Sequence, residues 1–179
     1  IIARMAGHTK SLYSVIACGM ARNHRGSPAA SIRVENCYSA PKLFSGLASL
    51  LLSPKEVEIL AVHRRLTLQR LQRLHPQTPA PALYFLSGSL PAPALLHKHQ
   101  FTLLYMVALL GPSNTLHQHG MYSLHHSVPH SWFSQLRVLS LQYSLPDPLQ
   151  VLLSPPTRPS FKIEVKTANR DLSKEKADL

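Results

Sequence analysis

Nine of the eleven histidines (His63, His75, His97, His99, His117, His119, His125, His126 and His130) fall between Ile59 and Pro146, where the chain holds no Asp or Glu. Imidazole is both a common metal ligand and a common general base, so zinc binding and nucleophilic catalysis are the chemistries to weigh first. His97 and His99 are two residues apart and project about 200° away from each other on a helix, whereas helical ligand pairs need a spacing of three or four. His99 reads instead as a satisfied core histidine on an apolar face. His117-x-His119 and His125-His126 have a spacing that a loop could use, but no cysteine or carboxylate accompanies them. Cys18 and Cys37 form neither a zinc pattern nor a secreted disulfide framework, so no metal residues are expected, and an intracellular location, nuclear or cytoplasmic and not secreted, is. A serine hydrolase lacks support as well: Gly-x-Ser-x-Gly is absent and Asp147 is the only nearby acid able to orient a histidine. No Gly-rich phosphate loop followed by Lys and Ser or Thr occurs.

The acids are sparse and unevenly placed. Only Glu35, Glu56 and Glu58 precede Asp147, and Asp147, Glu164, Asp171, Glu175 and Asp178 complete the set. Paired-carboxylate glycosidases, aspartic proteases and two-metal phosphoryl-transfer enzymes need converging acids, which here would come only from the ends of the chain. Nineteen Lys and Arg against these eight acids give a formal charge of +11, which points to a polyanionic partner or to a merely soluble surface. Lys10, Arg22, Arg25, Arg33 and Lys42 lie on or between the first two expected helices with only Glu35 among them. Arg70 and Arg73 close the third. A helix pair with basic turns can follow a nucleic-acid backbone, although spacing alone does not separate that from a solvated face.

The elements that must carry these residues are all helical. Thr9 is expected to cap a helix from Lys10 to about Arg22, with Leu12, Val15, Ile16, Gly19 and Met20 on one side. Ser27-Pro28 starts a second, running from Ala29 to about Leu52 and kinked at Pro41. Ser53-Pro54-Lys55-Glu56 is a capping box with proline in the first turn, and opens a helix to Leu74. On it Val57, Leu60, Ala61, Leu68 and Leu71 share one face. Ile59, Val62 and Leu66 share the other, continued by Arg70 and Arg73, so the first half is expected to be buried on both sides. Five prolines between residues 76 and 93 enclose Leu83-Tyr84-Phe85-Leu86, a short helix or extended connector. A helix from about Ala94 to Leu110 is apolar nearly all round and reads as the central core element, with Leu96, His99, Leu103, Val107 and Leu110 on one face. Residues 113–130 read as loop plus short helix. Ser131 caps a helix in which Trp132, Leu136, Leu139 and Tyr143 recur at helical spacing, Leu149 to Leu153 form a short helix, and Pro155-Pro156 open a charged tail.

The fold class is therefore all-α, an irregular multi-helix arrangement with Pro-rich connectors. It divides into residues 1–75, a helical extension over 76–153 and a charged tail over 154–179. With 45% apolar and 15% charged residues, disorder along the whole chain is not expected. The longest apolar run, Phe101 to Leu110 apart from Thr102, is about half of a bilayer crossing, so no membrane partner is expected. The opening Ile1-Ile2-Ala3-Arg4 has none of the parts of a signal peptide and reads as a piece of something longer.

Several segments resemble, in order, the region after the polymerase palm in reverse transcriptases of animal non-LTR (LINE-type) retrotransposons. Tyr38-x-x-Pro41-x-Leu43-x-x-Gly46-Leu47 is similar to the motif in which a helix carrying Tyr, Pro and Gly closes the thumb. Leu83-Tyr84-Phe85-Leu86-Ser87-Gly88-Ser89-Leu90-Pro91 resembles the family's apolar stretch ending in Gly, a small residue, Leu and Pro, and Leu96-His97-Lys98 with Leu103 resembles the helix after it. Ser131-Trp132-Phe133, Leu136-Arg137 and Tyr143-x-Leu145-Pro146 look like its Ser-Trp-Phe helix and Tyr-x-Leu-Pro break. Pro155-Pro156 with Phe161-Lys162 and Val165-Lys166 resembles its closing segment. The likeness runs from about Arg4 to Lys166; Ala48 and Ser49 stand where relatives often place an acid.

This resemblance implies a C-terminal, thumb and post-thumb fragment of an RNA-directed DNA polymerase. The expected partners are an RNA template, an RNA–DNA hybrid and the rest of the parent polymerase. Hybrid binding would fall to Lys10, Arg22, Arg25 and Arg33, and also to Arg70 and Arg73. No catalytic residue carries over, and no cofactor is expected in this chain; the family's magnesium belongs to an acidic palm. The alternative is a non-catalytic helical protein-interaction module or a decayed remnant of a mobile element, whose apolar helices contact protein.

Overall fold

A computed structural model describes residues 1–15, 27–157, 159–161, 163–165 and 167–168. Among them the regular structure is helical throughout, with no strand, so the fold is all-α as the sequence leads one to expect. The chain forms two compact units: Ile1–Ser45 with Leu52–Pro93, and Gly46–Leu51 with Ala94–Leu179.

In the first unit α1 (Ile2–Val15) begins eight residues ahead of the expected start at Lys10. Thr9 is consequently not its cap; inside the helix its Oγ1 donates to the Met5 carbonyl at 2.8 Å. Apart from Gly7 nothing in the opening residues breaks a helix, and an internal threonine satisfies its hydroxyl on the preceding turn. The expected continuation to Arg22 lies outside the described residues.

The second helical stretch is divided into α2 (Pro28–Val34), a π turn (Glu35–Ser39) and α3 (Ala40–Phe44). Proline has no N–H and its ring clashes with the carbonyl four residues back. The wide turn just before Pro41, in which the Ala40 N–H reaches the Glu35 carbonyl, accommodates that defect without ending the helix. The stretch stops at Phe44 rather than Leu52. Gly46 takes the left-handed conformation (φ 72°) that ends it, and a 3₁₀ turn follows at Leu47–Ser49.

α4 (Pro54–Gln72) starts at the expected capping box: Ser53 Oγ accepts from the Glu56 N–H, and Glu56 Oε2 accepts from the Ser53 N–H at 2.8 Å. Leu60, Leu68 and Leu71 on the first face are buried. The second face is not: Ile59 and Leu66 are 48% and 42% exposed, so this helix buries one side only. Arg73, in the left-handed region, ends α4, and α5 (Ala80–Ser87) occupies the proline-rich interval. α1 packs on the π turn and α3, α2 packs on α4, and α4 packs on α5.

The second unit contains α6 (Ala92–Leu109) from Ala94 onward, α7 (Thr115–His125), α8 (Trp132–Gln142) and α9 (Pro148–Leu153). Phe101, Leu104, Tyr105, Val107 and Ala108 from α6 join Leu124, Phe133, Leu136, Leu139, Tyr143, Val151, Leu152, Phe161 and Val165 in one core. The face of α6 differs from the expected one, because Leu96 and Val107 are buried whereas His99 and Leu110 are exposed. Ser131 caps α8 as read from the sequence, its Oγ accepting from the Ser134 N–H at 3.0 Å. Trp132 Nε1 donates to the Ala48 carbonyl at 2.7 Å. No described helix is long and apolar enough to cross a membrane.

Candidate functional site

The residues expected to carry function sit mostly at the surface of the first unit. Lys10 is exposed on α1 and shares a shallow surface depression with Thr9 and Tyr13. Arg33 is exposed on α2. Arg70 and Arg73 are exposed at the C-terminal end of α4, where cations also complement the helix dipole. Arg22 and Arg25 lie outside the described residues. A cleft of about 570 Å³ brings two of these regions together: Arg33 and Asn36 line it from one side, and Gln72, between Arg70 and Arg73 in the chain, from the other. Two further cations are tied down locally. Lys42 Nζ donates to Ser11 Oγ at 2.9 Å and lies 4.3 Å from the centre of the Tyr38 ring, while an Arg4 guanidinium N–H donates to the Ser45 carbonyl.

The interior of the same unit holds a charged network that the sequence reading did not identify. Arg64 is fully buried, and its guanidinium donates to Glu35 Oε1 at 2.7 Å and to Asn36 Oδ1 at 2.8 Å. Asn36 Nδ2 in turn donates to Ser89 Oγ at 3.2 Å. Glu35 is also fully buried, turned inward at the first position of the π turn. His8 of α1, buried as well, places Nε2 3.4 Å from Glu35 Oε1 and Nδ1 3.0 Å from His63 Nε2. Side chains from α1, the π turn, α4 and the loop after α5 therefore meet in one chain of hydrogen bonds. An ionised carboxylate inside a protein is tolerable only when paired and hydrogen-bonded, and here Arg64 supplies the charge and His8 a second donor.

The hydrogen-bond roles follow from chemistry. Ionised Glu35 only accepts, so neutral His8 carries its proton on Nε2 and offers a lone pair at Nδ1. His63 must then donate from Nε2, which leaves Nδ1 as its lone-pair nitrogen. Burial holds His63 below the usual histidine pKa, and the neighbouring Arg70 guanidinium adds to it.

The remaining histidines mainly hold the second unit together. His117 Nε2 donates to the Leu152 carbonyl at 3.1 Å, which joins α7 to α9. Tyr143 and His97 share a hydrogen bond of 2.8 Å between Oη and Nδ1, and burial pushes the Tyr143 phenol up to about 12. His119 meets the Phe133 ring edge-on, and His126 lies against Tyr122. His99 is exposed, contrary to the core position expected for it, because α6 turns Leu96, Gln100 and Leu104 inward instead.

Among the described residues no three His, Cys, Asp or Glu side chains are arranged to hold a metal ion. The magnesium of a polymerase palm finds no fit in the first unit: Glu35 is paired with Arg64, Glu56 is bound in its own cap, and Glu58 is a separate exposed residue. The exposed charged residues described in this unit are mostly Lys and Arg, which suits an extended polyanion. No family model matches the chain, and no curated protein or solved structure matches it.

Proposed function

We propose that the first unit binds the sugar–phosphate backbone of an RNA–DNA hybrid, as the thumb-like part of a retrotransposon reverse transcriptase whose catalytic palm this chain does not include. The observation that carries the reading is the unit's excess of cations over acids. Over its residues the sequence has eleven Lys and Arg against three Glu. Glu35 is sealed inside against Arg64, and Glu56 is engaged in the cap of α4. The buried Glu35–Arg64 pair cancels itself, so the unit keeps the net positive charge of its sequence, and such a field attracts a polyanion irrespective of its sequence. The order of motifs shared with LINE-type polymerases supports the choice of hybrid over other polyanions. Lys10, Arg33, Arg70 and Arg73, with Arg22 and Arg25, are the proposed contacts, each neutralising phosphate and none acting catalytically.

Fluorescence anisotropy with a labelled RNA–DNA hybrid of about twelve base pairs, in low salt, tests the reading. The full chain should bind, and simultaneous replacement of Lys10, Arg33, Arg70 and Arg73 by Ala should weaken binding at least tenfold while circular dichroism stays unchanged. Equal affinity of the two proteins would reject these residues as the grip.

A further inference from the structure

His63 lies where the buried network reaches the basic surface. On α4 it shares a strip with Ile59, Leu66 and Arg70, spaced four residues before it and three and seven after, and all three of these are exposed while His63 is half-buried. Its Nε2 is committed to His8, and no described residue bonds its Nδ1. The groups that face it are His8 from α1, Arg70 from its own helix and, through His8, Glu35 of the π turn with its partner Arg64.

This geometry gives the ring an unusual freedom. Adding a proton to Nδ1 leaves both existing hydrogen bonds intact: His63 still donates from Nε2 to His8, and His8 still donates to Glu35. The one bridging hydrogen, on either His63 Nε2 or His8 Nδ1 across 3.0 Å, is kept throughout, so the only nitrogen of the pair left to admit a further proton is His63 Nδ1. The pair can therefore take up one proton without opening the network, and the nitrogen that admits it belongs to His63, on the same helix as Arg70.

We propose that His63 is a further phosphate-binding residue of this surface, taking a proton from solvent onto Nδ1 when a backbone phosphate docks beside Arg70 and returning it on release. This inference rests on the nucleic-acid reading of the first unit and adds a proton linkage to it. With no phosphate present, burial and the neighbouring cation favour the neutral ring. A phosphate within hydrogen-bond reach reverses that balance, so binding takes up one proton and the affinity climbs as pH falls. A single linked proton allows at most about a tenfold gain per pH unit.

The test uses the full chain, the same twelve-base-pair hybrid at fixed low salt, and His63→Gln, which keeps a donor for His8 but cannot take the proton. Between pH 7.5 and 5.5 the wild-type affinity should rise several-fold more than that of the variant, whose remaining slope reports the other histidines. In parallel, ¹⁵N NMR of the wild-type imidazoles should find His63 protonated at Nε2 and not Nδ1 in the free protein at pH 7.5, with its titration moving to higher pH once hybrid is bound. Equal slopes for the two proteins overturn the inference even though binding itself persists, as does a His63 titration unmoved by hybrid. Should His63→Gln fail to fold, the NMR titration decides alone. Absence of binding at both pH values is a different failure, since it removes the nucleic-acid reading and this inference with it.

Discussion

Replacing Arg64 by Met tests the charged interior of the first unit. Methionine preserves most of the apolar length of the side chain, so the perturbation removes the guanidinium and leaves the surrounding packing nearly filled. The Arg64 and Glu35 side chains are 1% and 0% exposed, and the 2.7 Å contact between them is charge-assisted. Removing one partner of such a pair strands the other charge in a medium that solvates it poorly, at a cost of about 3–5 kcal/mol. Among the described residues Glu35 Oε2 has no hydrogen-bond partner even with Arg64 present, so little is available there to compensate. Glu35→Gln in the Arg64→Met background removes the stranded charge, while Gln can still accept from His8 Nε2. That double variant should regain at least about 2 kcal/mol, a non-additivity typical of directly contacting groups. Urea unfolding followed by circular dichroism, with hydrogen exchange on α4 peptides to isolate the first unit, measures both quantities. Trp132, the single tryptophan, reports the second unit separately. A loss below about 1 kcal/mol for Arg64→Met, or a double variant no more stable than the single, would refute the argument that Arg64 is the partner on which buried Glu35 depends.

Glycine gives a paired prediction. A Cβ at Gly120 would lie 2.8 Å from the buried Phe133 ring and 3.1 Å from Leu152, so Gly120→Ala should cost about 1–3 kcal/mol; at Gly7, with nothing within 4 Å, the same change should stabilise α1 by about 0.5–1 kcal/mol. Thermal melts of both variants check the opposite signs. Ser53→Ala removes the cap acceptor of α4 and should lower stability by about 1 kcal/mol, seen as faster hydrogen exchange in its first turn. Stability should also fall at both ends of the pH scale. His63 is held below its unfolded value of 6.5, so its contribution is complete above that pH and is lost as pH drops towards the folded value. The Tyr143 phenol, at about 12 when folded against 10.0 in the open chain, contributes below pH 10 and loses that contribution as pH rises between the two. Urea midpoints across pH, compared with those of His63→Gln and Tyr143→Phe, separate the two effects.

Local signals carried most of the architecture. Ser53-Pro54-Lys55-Glu56 and Ser131 stand at helix starts because capping is decided by a few adjacent residues, and Leu136, Leu139 and Tyr143 turn inward because α8 has a plain helical period. α6 defeated the same reasoning: a helix apolar nearly all round has no pattern to say which side faces the core, and His99 fell on the exposed one. The π turn was not legible either, since a change of hydrogen-bond register before Pro41 leaves no periodic mark. The buried network depends on pairs 27, 29 and 55 residues apart in sequence, beyond the reach of any local motif. One signal was present, because Arg64 lies on the same stripe as Leu60, Leu68 and Leu71, while its neighbour Arg65 lies off it and is exposed. A cation on an apolar stripe implies a buried acid, and Glu35 is the only carboxylate before residue 56.

The salt dependence of hybrid binding tests the proposed grip most directly. Each phosphate neutralised releases condensed counterion, so contacts from Lys10, Arg33, Arg70 and Arg73 alone give a log–log slope of about −3 to −4 for the binding constant against salt. The wild-type chain is predicted to show at least that slope, and the fourfold alanine variant a slope shallower by about three. Undetectable binding in low salt, or a binding constant that does not change with salt, would contradict the account.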